Sequence, residues 1–439
     1  KCRSFGLNHM RFHSYCPPEA AFEAADIVGF YLQPEGPSWP NHGVKLGNGM
    51  VIDKYLMKET QRMTDEYGNH PSFCMLACGN EPSGNWVAWV SKFVDYWKSK
   101  DSRRVYTGAS VGNGWQWQPQ SMYHVKAGAR GLDEWNKREP SANDDFREKI
   151  EKYKDTEINE PYISHETGQW CAFPDFDEIS QYTGVNKARN FEIFRDILNE
   201  NNMGTMAHKF LMSSGKLQTL CYKYEIEKTL RTPNYAGFQL LGINDYSGQG
   251  TALVGVLNVF FREKGYCRAE DFTEFCSPIV ALARMPKFTF TNDEKFKIPV
   301  EISNFSATEL NKGETTYSLT DDFGKTYAQG ILSTKNIPIG SNISLGTINE
   351  KLNNIDEAMK LTLTVKVTSA DGAAMNHWDF WVYPAKVEDA NTDGIYISDT
   401  LDAQAIKTLQ NGGKVLLTAA GKIRYGNDIV QYYTPVFWN

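Results

Sequence analysis

The chain contains no run of about eighteen uninterrupted apolar residues, so its sequence offers no candidate membrane-spanning helix. Its N-terminus also lacks the charged-then-apolar pattern of a secretory leader, which by itself leaves the compartment open. The cysteines Cys2, Cys16, Cys74, Cys78, Cys171, Cys221, Cys267 and Cys276 include no CxxC pair, which argues against a zinc ribbon. Cys74 and Cys78 fall inside an apolar run and read as small buried hydrophobes. No His-x-His pair or Asp-rich metal loop occurs, and the lone Gly412-Gly413 makes no nucleotide site. An excess of positive charge is missing too. A net charge of −7 over 439 residues gives no electrostatic footprint for nucleic acid. Aromatic residues, by contrast, make up 13% of the chain, and Trp and Tyr suit stacking on sugar rings as well as ordinary core packing.

The length predicts two or three domains, since a single barrel uses about 250 residues. The stretch Gly68 to Gly84 organises the first of them. A turn-like Asn69-His70-Pro71 leads into an apolar run that stops abruptly at Gly79-Asn80-Glu81-Pro82, as expected of a strand buried on both faces with a carboxylate at its tip. Around it, strand-like and helix-like segments alternate. Leu7 to His13 reads as a strand, Ala20 to Val28 as a helix started by Pro17-Pro18 and closed by Gly29, and Phe30 to Glu35 as the next strand. Helices are predicted over Val51 to Tyr67 and Trp86 to Trp97, and a strand over Arg104 to Gly108. A weaker strand falls at Met122 to Val125.

The charged stretch Arg130 to Glu160 reads as a solvated excursion with a short helix near Phe146 to Tyr153. A second apolar strand then ends in a glutamate, Pro161-Tyr162-Ile163-Ser164-His165-Glu166. Helices are expected over Asn186 to Asn199, Met203 to Leu211 and Tyr222 to Leu230, and a strand over Gly237 to Ile243. Alternating strands and helices predict an α/β fold, a (β/α)8 TIM barrel with its first strand before Lys1, as in a fragment of a longer chain. From Lys287 short alternating runs separated by turn residues predict an antiparallel sandwich of immunoglobulin type. Gly394 to Leu417 then reads as a partial βαβ unit. The expected domains are 1–286, 287–386 and 387–439.

Asn69-His70-Pro71-Ser72, the apolar strand and Gly79-Asn80-Glu81 closely resemble the acid/base signature of glycoside hydrolase family 2, with Leu76 near the place of the family's usual Trp. Asn8-x-Met10-Arg11, Asp26-x-x-Gly29 and the Glu166-x-Gly168 that ends a Pro-led strand resemble the same family. The resemblance covers roughly Lys1 to Met285. It implies a retaining exo-β-glycosidase of β-galactosidase or β-glucuronidase type, with Glu166 as nucleophile and Glu81 as acid/base. Asn80 would bind the sugar 2-hydroxyl.

Such chemistry needs one protonated and one ionised carboxyl group on either side of the glycosidic bond, and the two glutamates meet that requirement in kind. Substrate contacts are expected from His13, Glu35 and His124, from Trp115 and Trp117 in a Gly-rich aromatic loop, and from Asp245 after the last barrel strand. A competing arrangement would gather His13, His124, His165 and Glu35 around a metal, but no metal pattern accompanies them. No metal or cofactor is expected, and the expected partner is a carbohydrate, with a homo-oligomer compatible. A non-catalytic carbohydrate-binding barrel is the alternative function, and a periplasmic or secreted location the expectation.

Overall fold

A computed structural model describes residues 1–39, 43–112, 114–127, 130–147, 149, 159–246, 252–387 and 390–423. The fold is mixed α/β. Its first half is a run of parallel strands in sequence order: β1 (His9–Arg11), β2 (Tyr31–Gln33), β3 (Met75–Ala77), β4 (Val105–Thr107), β5 (Ser110–Val111), β6 (His124–Lys126), β7 (Tyr162–Thr167) and β8 (Tyr235–Leu240). The parallel sheets β1–β2, β3–β4 and β5–β6–β7–β8 are joined by isolated parallel bridges, Leu32 to Phe73 and Glu35 to Ala77 at the first junction and Asn80 to Ser110 at the second. Across the remaining gap, Gln239 Nε2 on β8 lies 2.7 Å from His9 Nε2 on β1.

β4 and β5 form one pass of chain, interrupted because side chains capture its backbone. Ser121 Oγ accepts from Gly108 N at 3.0 Å and Gln118 Oε1 from Ala109 N at 2.7 Å. The intervening helices follow their apolar spacing. α1 (Glu19–Val28) ends at Gly29, whose φ of 67° suits a residue without a Cβ. α2 (Val51–Tyr67) is closed at its start by Asp53, which accepts from Gly47 N and Gly49 N. α3 (Trp86–Lys100) buries Trp86, Val90, Phe93, Val94 and Trp97. Its aromatic face is therefore core, as the i, i+4, i+7 pattern implies.

After β7 come α4 (Arg189–Glu200) and α5 (Ala207–Arg231). The structure corrects the expectation of two separate helices here. α5 runs unbroken through Gly215, where the Tyr266 ring packs so closely that a Cβ would lie 2.2 Å from it. The short helix expected near 146–153 falls largely outside the described residues. α6 (Ala269–Thr273) packs Phe272 on Phe5.

The second half is antiparallel. β9 (Ile279–Ala283), β10 (Thr289–Thr291), β11 (Lys295–Asn304), β12 (Leu310–Thr320), β13 (Thr326–Ile337), β14 (Gly340–Lys351), β15 (Met359–Ser369) and β16 (Gly372–Tyr383) form sheets of order β10-β16-β15-β12-β13 and β14-β11-β9. Only the β10–β16 pair is parallel among them. β9 pairs with β11, so the antiparallel region starts before Lys287. One apolar core runs from Tyr222 and Ile226 of α5 to Phe296 and Trp378 of the sheets. Finally β17 (Ile395–Ser398), α7 (Ala403–Gln410) and β18 (Lys414–Leu417) make a parallel βαβ unit. Among the described residues no helix is long and apolar enough to cross a membrane.

Candidate active site

The carboxyl ends of the parallel strands bring together residues far apart in sequence. Their centre is Arg11, the last residue of β1. Its Nε donates to Glu35 Oε1 at 2.6 Å and its Nη2 to Glu35 Oε2 at 3.0 Å. The same guanidinium reaches Asn80 Oδ1 at 2.7 Å, Ser110 Oγ at 3.1 Å and Glu166 Oε1 at 3.2 Å. Four passes of the sheet therefore converge on one cation, which a planar, five-donor group can serve and an ammonium cannot.

Glu35 differs from its expected role. It is fully buried, and besides Arg11 it accepts from Ser110 Oγ at 2.5 Å and Ser14 N at 2.9 Å. It is the counter-charge that holds Arg11 in place. These donors overcome the cost of burial and keep its carboxyl below the usual range.

Glu81 and Glu166 stand above this base, both partly exposed and both with left-handed backbone, φ 43° and 50°. Non-glycine residues avoid that region, and such strain gathers where a side chain must be aimed. Ser110 O holds Glu81 N at 2.9 Å. Arg130 Nη1 holds the carbonyls of His165 and Glu166 at 3.1 and 3.0 Å. Burial first, and then the charge of Glu166, push the Glu81 carboxyl above its ordinary pKa, while Trp39, Arg11 and Arg130 oppose them. The Glu81 carboxyl also lies against Gly112 and the Trp115 ring, since a Cβ on Gly112 would meet Glu81 Oε1 at 2.7 Å and Trp115 Cζ3 at 2.8 Å.

Two histidines border the pair. His13 lies edge-on to Trp39, ring centroids 4.9 Å apart, and burial lowers its pKa. His165 is fully buried, its Nε2 3.5 Å from Glu166 Oε1, and desolvation keeps it neutral at ordinary pH. Among the described residues no group of three or more His, Cys, Asp or Glu side chains could hold a metal.

The remaining expected contacts lie elsewhere. His124 opens β6, at the amino end of the strands, packing edge-on against Trp117 at 4.7 Å with Glu160 3.7 Å away. Trp117 belongs to the cluster of Phe146, Tyr162 and Tyr235. Both residues thus pack against each other and their neighbours. Asp245 is buried in an ion pair with Lys264 at 2.7 Å and accepts from Gly255 N. That pairing withdraws it from a ligand. The sequence assigns no role to Ser110 and no hub role to Arg11, although Arg11 stands within a motif; Trp39 reads there as an aromatic edge beside Glu35 that could contact sugar.

Comparisons with known proteins were informative over limited stretches. Residues 294–384 match a family described as a domain of unknown function, DUF8488, and residues 396–439 match another, DUF8487. No curated protein matches the chain. Among solved structures, a Bacteroides uniformis β-glucuronidase is similar over 91% of this chain and 44% of its own, with 12% identity and a TM-score of 0.42. A Parabacteroides merdae β-glucuronidase is similar over 88% of this chain and 47% of its own, with 13% identity and a TM-score of 0.39. The chain thus spans less than half the length of either.

Proposed function

We propose that this chain carries the catalytic part of a retaining β-glycosidase of the family 2 type. In this reading β1 to β8 are the second to eighth strands of a (β/α)8 barrel. The barrel is followed by an immunoglobulin-like sandwich and a partial α/β unit, with the first boundary drawn back from residue 286 to before Ile279.

The observation that carries the proposal is the unequal pair of glutamates at the strand ends. Glu166 Oε1 accepts from Arg11 Nη1 at 3.2 Å, a contact that fixes the position of the carboxyl group as a nucleophile requires. Glu81 is raised by burial and by the charge of Glu166, which suits a group that must carry a proton at the start of the cycle. Attack of Glu166 on the anomeric carbon, with proton donation from Glu81 to the leaving oxygen, would give a glycosyl-enzyme. Esterification removes the charge on Glu166, so the Glu81 pKa falls and the same group can then take a proton from water. Arg11 engages Asn80 Oδ1, leaving Nδ2 as the amide group able to donate to a sugar hydroxyl.

Sugar contacts are assigned to Asn80, His13, Trp39 and Trp115. The substrate is a β-linked sugar of galactoside or glucuronide class. The test is trapping: incubation with 2-deoxy-2-fluoro-β-glycosyl fluorides should add one sugar mass to the protein, on the peptide containing Glu166. Labelling of another residue would refute the assignment, and sugar binding without labelling or turnover would favour a binding barrel.

A further inference from the structure

His165 has no part in the two steps above, although its side chain borders the nucleophile. In a regular strand the neighbours His165 and Glu166 would face opposite sides of the sheet. β7 departs from that rule. It pairs with β8 through Ser164 and Phe238 and next through Thr167 and Leu240, so β7 carries one residue more than its partner, a bulge at His165 and Glu166. The left-handed backbone of Glu166, φ 50°, lies within that bulge, and Arg130 Nη1 holds the carbonyls of both residues. The two side chains therefore meet: His165 Nε2 lies 3.5 Å from Glu166 Oε1.

The imidazole is fully buried, and among the described residues neither of its ring nitrogens has a hydrogen-bond partner. A buried polar group left unpaired destabilises a fold, so a side chain kept in that state calls for a role outside folding. Its charge state is set by its surroundings. Burial, Arg11, Arg130 and His13 all act against protonation, so the ring is neutral and carries one N–H. At 3.5 Å the contact with Glu166 is not a hydrogen bond, and a closure of about 0.5 Å would make it one. Catalytic hydrogen bonds are often long in a free enzyme and tighten around substrate. Arg11 Nη1 already donates to the same oxygen at 3.2 Å. Both nitrogens thus stand at Oε1, which leaves Oε2 as the oxygen outside these contacts.

Resting on the glycosidase reading, we propose that His165 is a positioning residue: as the Nε2–H tautomer it closes on Glu166 Oε1 when substrate is bound, and with Arg11 it turns Oε2 toward the anomeric carbon. In the first step Oε2 bonds to that carbon as the glycosidic C–O bond breaks, and the Glu81 proton goes to the leaving oxygen. In the second, a water oxygen replaces Oε2 on the carbon and the water proton passes to Glu81. Glu166 leaves as a carboxylate, and His165 and Arg11 meet its returning charge at Oε1.

The test compares His165→Leu, which removes the donor, with His165→Gln, whose side-chain amide nitrogen can stand where Nε2 stands. With aryl β-glycosides, His165→Leu should lower kcat and kcat/KM together by roughly 10- to 100-fold, with KM little changed. His165→Gln should recover most of that loss. Stability should not follow activity: an apolar side chain leaves no buried polar atom unpaired, so the urea midpoint of His165→Leu should equal or exceed that of the wild type. A merely structural histidine would give the reverse, a lower midpoint with turnover per folded molecule intact, and that result would overturn the proposal. Equal losses of activity in the two variants would overturn it as well. A further readout needs no turnover: the 15N signals of the His165 ring, identified by their loss in His165→Gln, should show a protonated Nε2 and a bare Nδ1, and the opposite tautomer would refute the assignment. If the wild-type chain hydrolyses no β-glycoside, the glycosidase reading falls. Full activity of His165→Leu beside an active wild type overturns the His165 role alone.

Discussion

Arg11 touches Glu35, Asn80, Ser110 and Glu166 at once, so its loss should be felt in both stability and function. Arg11→Met would leave Glu35 charged and buried with no countercharge. A loss of about 3–5 kcal/mol is expected by urea denaturation, together with loss of turnover. An unchanged stability would mean that Glu35 does not depend on the pair. Glu81→Gln separates the acid from the rest of the site. Glycosides with poor leaving groups should slow by roughly 10²- to 10⁴-fold, and dinitrophenyl glycosides, which need little protonation, far less in their first step. Equal losses for both substrates would contradict the acid role. The strand-end positions of Glu81 and Glu166 were legible in the sequence because each ends an apolar strand in a turn, a pattern local to about ten residues. Arg11 offered no such pattern for its contacts, since its partners lie 24 and 155 residues away. Glu35 was misread for the same reason: a strand-end carboxylate looks alike whether it faces a ligand or an arginine.

At the scale of elements, the loops after β7 and β8 meet over a buried titratable group. Glu178, on the 3-10 turn Phe176–Gln181, is 1% exposed, and among the described residues neither of its carboxyl oxygens has a hydrogen-bond partner. Burial, and next the charge of Asp245, push its pKa up to about 8. Since the folded pKa lies above the ordinary carboxylate value, the fold favours the protonated form. Stability should therefore decline as pH rises from near 4.5 toward about 8. Glu178→Gln should relieve that decline, stabilising the protein by on the order of 1–2 kcal/mol at pH 9 and hardly at all at pH 4. Equal effects at both pH values would refute it. Asp245→Asn should act oppositely, destabilising by removing the partner of buried Lys264 while leaving KM for sugar in the folded enzyme unchanged. Asp245 followed an apolar strand and a Gly-rich loop, as a rim residue would. Lys264, nineteen positions on, decides otherwise, and charge pairing across a loop has no period to read. The length of α5 was hidden similarly: Gly215 looks like a helix breaker until the Tyr266 ring is seen to need its missing Cβ.

Across the whole molecule, α5 joins the parallel and antiparallel halves through buried charge as well as apolar packing. Glu227 is fully buried and accepts from Lys223 at 2.7 Å, Arg231 at 3.1 Å, Asn376 Nδ2 at 2.9 Å and Trp378 Nε1 at 2.9 Å. Its neighbours outweigh burial and hold its pKa below the ordinary value. With one continuous core behind this network, residues 1–386 should unfold in a single cooperative transition, and Glu227→Ala should lower its midpoint strongly, by about 3–5 kcal/mol of stability. Two separate calorimetric transitions would contradict that coupling. The most direct test of the proposed function is hydrolysis of aryl β-glycosides by the wild-type chain and by Glu166→Ala, with and without azide. Turnover by the wild type, its loss in the variant, and its return with azide are expected, because the anion can enter the space vacated by the Glu166 carboxylate and displace the leaving group from that face, giving the α-glycosyl azide by a single inversion. Full activity in Glu166→Ala, or no hydrolysis of any β-glycoside by the wild type, would contradict it.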